Sequence, residues 1–281
     1  MKKRTGKKRS GDDSAGQVSG KIINITKKFM RAWPLPAPDE EGDKEERGRV
    51  LVVGGAPGMP GAVVLAATAA LRAGAGKLQI ATISSIAQTV AASVPEARVF
   101  ALPETKAGAF TAAAAVEIAK RANSVEAVVI GPGMIDENAV ARLMIKLIPR
   151  IKLPTLIVDA AALAVLSRST KILHSLQGKV VITPHAGEMA SALGIDKEEV
   201  LKDKAGIAGG AAHDFQAVVA LKGSETFIVA PEGEIYCNRT GNIGLATSGS
   251  GDTLSGIIAG LVARGATPIQ AAAWGVYLHG R

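Results

Sequence analysis

Gly48-Arg49-Val50-Leu51-Val52-Val53-Gly54-Gly55-Ala56-Pro57-Gly58-Met59-Pro60-Gly61 opens the regular part of the chain. Val50–Val53 reads as a short buried strand and Gly54–Gly61 as a loop, with Ala62–Arg72 an apolar helix. The same unit recurs outward from it. Further strands are expected at Leu78–Thr82, Val99–Leu102, Ala127–Ile130, Leu156–Val158, Val180–Ile182 and Val218–Leu221. Helical stretches fall near 85–92, 111–122, 137–147, 160–166, 187–193 and 197–213. Thr226–Val229 and Glu234–Cys237 flank Pro231-Glu232-Gly233 as a hairpin, and two helices close the chain over Gly251–Arg264 and Thr267–Leu278. Short strands alternating with helices define α/β: a three-layer α/β/α sandwich on a mainly parallel central sheet. No internal repeat or linker divides it, so residues 32–281 are expected to form one domain.

Residues 1–31 carry ten Lys/Arg and two Asp/Glu, which is the whole of the net charge of +8; the remainder carries 23 of each sign. The body is neutral and the basic excess is a tail, expected to be a disordered, solvated arm. Met1–Gly20 has no periodicity, Ile22–Met30 can start a short helix, and Asp39–Arg49 is a solvated charge run. One cysteine, Cys237, excludes an internal disulfide and fits a reducing compartment. No membrane-length apolar run and no signal peptide is visible, so a cytoplasmic protein is expected.

In such sheets ligands bind beyond the carboxyl ends of the strands. The unusual residues collect there: Gly54-Gly55, Gly131-Pro132-Gly133, Asp159, Thr183-Pro184-His185 and Lys222-Gly223. Neither a G-x-G-x-x-G fingerprint nor a G-x-x-x-x-G-K-[ST] P-loop is present. His174, His213 and His279 show no metal-ligand spacing with His185. Lys222 can meet a phosphate as a point charge, and Gly223 lets backbone amides face it. A surface histidine and a simple turn are the plain alternatives for these two sites.

Asn238-Arg239-Thr240-Gly241-Asn242-Ile243-Gly244-Leu245-Ala246-Thr247-Ser248-Gly249-Ser250-Gly251-Asp252 runs as a small-residue loop into a helix with Leu254, Ile257, Ile258, Leu261 and Val262 on one stripe. Free amides at a helix start, reinforced by its dipole, attract anions, so Gly249, Ser250 and Gly251 form a candidate anion hole. A carboxylate beside a phosphate repels it unless it has a task, such as taking a proton from a hydroxyl that meets the phosphoryl group. Asp252 is therefore the candidate base. Its plain alternative is a helix N-cap.

Together these stretches resemble the ADP/ATP-dependent (S)-NAD(P)H-hydrate dehydratases, a branch of the ribokinase-like superfamily. The likeness runs from about Leu35 to Arg281. It rests on 48–55, Pro-Gly-Ala 60–62, 70–76, Gly-Pro-Gly 131–133, Val-Asp-Ala 158–160, Thr-Pro-His-Ala-Gly-Glu 183–188, Leu-Lys-Gly 221–223, Asn-Arg-Thr-Gly-Asn 238–242, 249–256 and 275–280. The resemblance implies a repair reaction. The S epimer of C6-hydrated NADH or NADPH is dehydrated, while ADP goes to AMP and phosphate, or ATP serves in its place. It implies that Ala62, Gly133, His185 and Asp252 meet the hydrated cofactor. It implies that Lys222, Gly223, Ser224, Glu225, Thr226 and Gly251 hold the nucleotide. Magnesium is expected on the nucleotide phosphates, with no direct side-chain ligand, and a homo-oligomer, a tetramer in relatives, is implied.

Lys-Gly-x-x-Thr looks like the bacterial, ADP-using branch; ATP-using relatives carry an acidic residue at the last position. Ala186 replaces a proline usual in the family, and relatives continue past Arg281 or carry an N-terminal epimerase domain for which residues 1–47 are too few and too polar. Two other functions are open to the residues alone. One is a ribokinase-like kinase of a small alcohol such as a vitamin precursor; the other is nucleic-acid binding through the tail.

Overall fold

A computed structural model describes residues 21–37, 41 and 43–281. In chain order it contains β1 (Ile22–Asn24), α1 (Lys27–Ala32), β2 (Arg49–Val53), α2 (Pro60–Arg72), β3 (Lys77–Ile83), α3 (Ala87–Ser93), β4 (Arg98–Leu102), α4 (Ala114–Ala122), β5 (Ala127–Ile130) and α5 (Glu137–Leu147). There follow β6 (Thr155–Val158), β7 (Val180–Ile182), α6 (Ala186–Leu193), α7 (Lys197–Lys202), α8 (Lys204–Phe215), β8 (Val218–Leu221), β9 (Thr226–Val229), β10 (Ile235–Asn238), α9 (Ser250–Ala263) and α10 (Pro268–His279). One ten-stranded sheet has the order β1-β10-β9-β8-β7-β6-β5-β2-β3-β4. All neighbours are parallel except at β9, which runs antiparallel to β8 and β10.

The central strands are apolar along their whole length because both faces are covered. Val50–Val53, Ala127–Ile130 and Leu156–Val158 are all buried. Helix α9 packs between α2 and α10, and the three lie along β2, β3 and β5–β10, while α4, α5, α6 and α8 form the second helical group with the 3₁₀ turn Ala160–Val165. The approach of α9 to α2 is unusually close. A β-carbon built on Gly256 would lie 2.1 Å from the Ala66 carbonyl oxygen, and one on Gly260 2.4 Å from that of Ala70. Alanines on α2 and glycines on α9 thus let two backbones meet, which sets how α9 lies over the sheet.

Several boundaries differ from the expected ones. Ile22–Asn24 is not helical but pairs parallel to β10, as suits its β-branched pair. The helix that follows begins only at Lys27, capped by the Thr26 hydroxyl, which accepts from the Phe29 amide at 3.1 Å. Phe29, Trp33 and Tyr236 form a ring cluster, and the Trp274 indole donates to the Trp33 carbonyl at 2.8 Å. Residues 22–33 therefore belong to the folded body, and the expected arm shrinks; residues 1–20, 38–40 and 42 lie outside the described residues. The single helix expected over 197–213 breaks at Asp203, whose carboxylate accepts from the Gly206 amide at 2.9 Å and caps α8. The helix expected from 111 starts at Ala114, and 160–166 is a 3₁₀ turn.

From β2 the chain winds outward through β3 to β4; from β5 it winds the other way to β8. Where the direction reverses, the loops after β2 and β5 lie back to back. The Gly55 amide donates to the Pro132 carbonyl at 2.8 Å, and a β-carbon on Gly54 would stand 2.2 Å from that oxygen. This reversal point is where open α/β sheets hold ligands.

Candidate active site

A cavity of about 940 Å³ lies beyond the ends of β6, β7 and β8 and against the start of α9. Asp159 follows β6, His185 and Glu188 follow β7, and Lys222, Gly223 and Ser224 follow β8. Gly241–Ile243 and Leu245–Ser248 form one wall, Ser250–Asp252 supply the floor, and His279 closes it from α10. The strand-end residues meet because adjacent parallel strands end in step.

Gly249 is the N-cap of α9, at φ 84°, a left-handed backbone favourable only to glycine. The helix starts at Ser250, one residue earlier than expected, so Asp252 is its third residue and makes no side-chain cap. The N-cap alternative for Asp252 is thereby removed. Ser250 gives its amide to the Thr247 carbonyl at 3.3 Å, while among the described residues no acceptor meets the amides of Gly251 and Asp252. Those two, with the Gly249 amide, which likewise meets no acceptor among the described residues, are the free donors at this helix start; Ser250 is not.

Asp252 is half-buried, and its carboxyl is raised above the usual aspartate value. Burial is the main cause, the Asp159 charge adds to it, and the Lys222 ammonium opposes it. Lys222 donates to Asp159 Oδ1 at 3.1 Å and stands 3.8 Å from Glu188 Oε2. Burial acts to lower its pKa most strongly, but Asp159, Glu188 and Asp252 outweigh this and hold it raised, so it stays charged. Thus one cation faces three carboxylates.

His185 caps α6. Its Nδ1 accepts from the Gly187 and Glu188 amides at 3.0 and 3.2 Å, and its own amide donates to Glu188 Oε2 at 2.7 Å, a reciprocal capping box. An accepting Nδ1 puts the ring proton on Nε2, the nitrogen that faces Glu188 at 3.6 Å. His279 Nε2 lies 3.2 Å from the Ser250 hydroxyl, and burial first, with Lys222, lowers its pKa against the effect of Ser250.

Of the anticipated site residues, Asp252, His185, Lys222, Gly223, Ser224, Thr226, Ser250 and Gly251 line this cavity. Ala62 and Gly133 do not; they meet at the reversal point, where a β-carbon on Gly133 would come 2.9 Å from that of Ala62. The Glu225 side chain turns to Arg239, an ion pair outside the lining. Gly249 lies against α2, where a β-carbon would strike Leu65 at 2.3 Å. Asp159, Glu188 and His279 were not among the anticipated contacts, although each sits in a stretch that already stood out, 158–160, 183–188 and 275–280.

An α/β/α sandwich whose last strand-end loops and penultimate helix share one polar pocket defines a ribokinase-like enzyme. Residues 50–281 match the family described as NAD(P)H-hydrate dehydratase, and the chain belongs to that family. The ADP-dependent (S)-NAD(P)H-hydrate dehydratase of Xanthomonas campestris is 46% identical over 260 residues, covering 92% of this chain and 86% of that one. The bifunctional NAD(P)H-hydrate repair enzyme of Moorella thermoacetica is 45% identical over 89% of this chain, which spans 47% of that protein. The chain therefore spans about half of the bifunctional relative and most of the ADP-dependent dehydratase. Among solved structures, the ADP/ATP-dependent NAD(P)H-hydrate dehydratase of Bacillus subtilis, co-crystallised with ATP and Mg2+, superposes with a TM-score of 0.76 at 33% identity over 92% of this chain and 87% of that one.

Proposed function

We propose that this chain is an ADP-dependent (S)-NAD(P)H-hydrate dehydratase, a hydro-lyase that returns damaged, hydrated nicotinamide cofactor to NADH or NADPH. The observation that carries the reading is the placement of Asp252: a half-buried carboxylate free of any capping bond, in a cavity it shares with Lys222 and the Gly251 amide. In this reading Asp252 takes the proton of the C6 hydroxyl. The oxygen attacks the terminal phosphorus of ADP, and the bond to AMP breaks. The ring nitrogen then expels phosphate, a far better leaving group than hydroxide, and transfer of the C5 proton to water restores the ring double bond. Lys222 and the amides of Gly251 and Asp252 receive the charge that builds on the phosphoryl oxygens.

Ala62, Gly133 and His185 hold the hydrated cofactor in this scheme. Ala62 and Gly133 lie at the reversal point and His185 at the end of β7, outside and inside the cavity lining respectively. Gly223, Ser224 and Thr226 face the nucleotide, with Glu225 contributing through its backbone. Magnesium would be held by the nucleotide phosphates beside Lys222 and would supply neutralisation of their charge. The side chains fit an ion borne on phosphate rather than a protein cage. Among the described residues no group of three or more His, Cys, Asp and Glu is placed to hold a metal, yet one ammonium against three carboxylates leaves a polyphosphate in need of a counter-ion.

The test is recovery of the reduced-nicotinamide absorbance from hydrated NADH with magnesium and ADP or ATP, with phosphate released one for one. Absence of recovery with both nucleotides overturns the reading; a stable phosphorylated product points instead to a kinase. Among the described residues no helix is long and apolar enough to cross a membrane. The reading further makes the enzyme a cytoplasmic homotetramer, for which light scattering in solution is the check.

A further inference from the structure

Asp159 has no ligand contact in the scheme above, yet it ties together Thr183 and Lys222 and acts on Asp252. It is 1% exposed. Its Oδ1 accepts from the Thr183 hydroxyl at 2.8 Å and from the Lys222 ammonium at 3.1 Å. Its Oδ2 is buried and has no partner among the described residues. A β-carbon built on Gly251 would lie 3.9 Å from that Oδ2 and 3.3 Å from Lys222 Nζ, so both atoms lie beside Gly251 at the start of α9. The backbone around it is held tightly. Ala160 takes φ 49°, a costly value for a residue with a β-carbon, and Gly131 approaches so closely that a β-carbon there would stand 1.8 Å from the Asp159 carbonyl oxygen. A buried carboxylate with one oxygen left unpaired is expensive. Its placement on a strained turn at the cavity floor marks a site shaped for the loaded state.

We propose that Asp159 is a positioning residue: it holds the Lys222 ammonium beside the Gly251 amide so that both face one phosphoryl group, and keeps Oδ2 open to a hydrogen-bond donor that arrives with the ligand. Its charge also opposes ionisation of Asp252, which makes Asp252 a stronger base. The other charged or titratable side chains that line the cavity with Asp252 are His185, Glu188, Lys222 and His279. This inference rests on the dehydratase reading.

The experiment compares wild type, Asp159→Asn, Lys222→Met and the double variant for kcat, KM and the pH profile of kcat with ADP and hydrated NADH. Asparagine keeps the size of the side chain and its acceptor for Thr183. Asp159→Asn is expected to lower kcat at least roughly tenfold and to move the acidic limb of the profile to lower pH. In the Lys222→Met background its effect on kcat should largely vanish, since the two act as a unit. Should Asp159→Asn fail to fold, Thr183→Val removes one anchor of Oδ1 from outside the cavity lining, and a loss of kcat of about threefold or more is expected at 25 °C. Wild-type kcat with an unmoved acidic limb in Asp159→Asn, additive losses in the double variant, or full kcat in Thr183→Val each overturn the assignment. An inactive wild type removes the dehydratase reading instead, so the two failures are distinct.

Discussion

Replacing Asp252 by asparagine tests the proposed chemistry most directly, because the structure sets both the size and the sign of several consequences. The amide is nearly isosteric and disturbs no capping bond, since Asp252 makes none. General-base assistance is typically 10²–10⁴-fold, so turnover should fall by that factor, about 3–5 kcal/mol of barrier. The carboxyl is raised by burial and by Asp159, with Lys222 opposing. An acid whose folded-state pKa is raised contributes stability below its unfolded pKa, and that contribution is lost as pH rises through the folded value. At neutral pH the ionised Asp252 therefore weakens the fold, and Asp252→Asn should melt at or above the wild-type temperature. The variant also removes one of the three carboxylates around Lys222, so ADP should bind as tightly or more tightly. The assays are nicotinamide absorbance for turnover, calorimetry for ADP and scanning fluorimetry at pH 7. Turnover within tenfold of wild type would refute the base assignment. A lower melting temperature with weaker ADP binding would show that the site was damaged rather than chemically silenced.

Gly256→Ala should destabilise the fold by about 1–3 kcal/mol, because the new carbon meets the Ala66 carbonyl at 2.1 Å and the overpacking outweighs the roughly 1 kcal/mol gained in helix propensity; chemical denaturation measures it. Gly251→Ala, whose backbone is helical, should leave the melting temperature nearly unchanged but weaken ADP binding at least roughly tenfold, since its β-carbon would stand 3.3 Å from Lys222 Nζ in the space a phosphate needs. In wild type, kcat should fall on acidification along a limb set above the usual aspartate value, as Asp252 takes up its proton; a limb below that range contradicts the raised carboxyl. His185→Ala should cost about 1 kcal/mol in stability through loss of the α6 cap, read by denaturation, whereas His185→Asn keeps a capping oxygen and should retain most of that stability.

The layered fold was legible because each central strand is a short unbroken apolar run ended by Gly, Pro or a polar residue, and such a run means burial on both faces. Ile22–Asn24 escaped because three residues beside a basic stretch carry no periodicity; only pairing with Ile235–Cys237 makes them a strand. The break at Asp203 escaped for a related reason, since the apolar spacing continues through it and the cap is decided by where its carboxylate turns. Within the site, residue types showed which strand ends carry chemistry. They could not show how charges combine, because that depends on register between strands far apart in the chain. Lys222 reads in sequence as a free cation for phosphate. In space it is paired with Asp159, 63 positions earlier, and flanked by Glu188. The consequence is more than local. A lysine left free would bind any polyphosphate; one held by a buried carboxylate beside a helix-start amide presents its charge at one place, and binding energy can then go toward the phosphoryl group as it transfers rather than toward the nucleotide at rest.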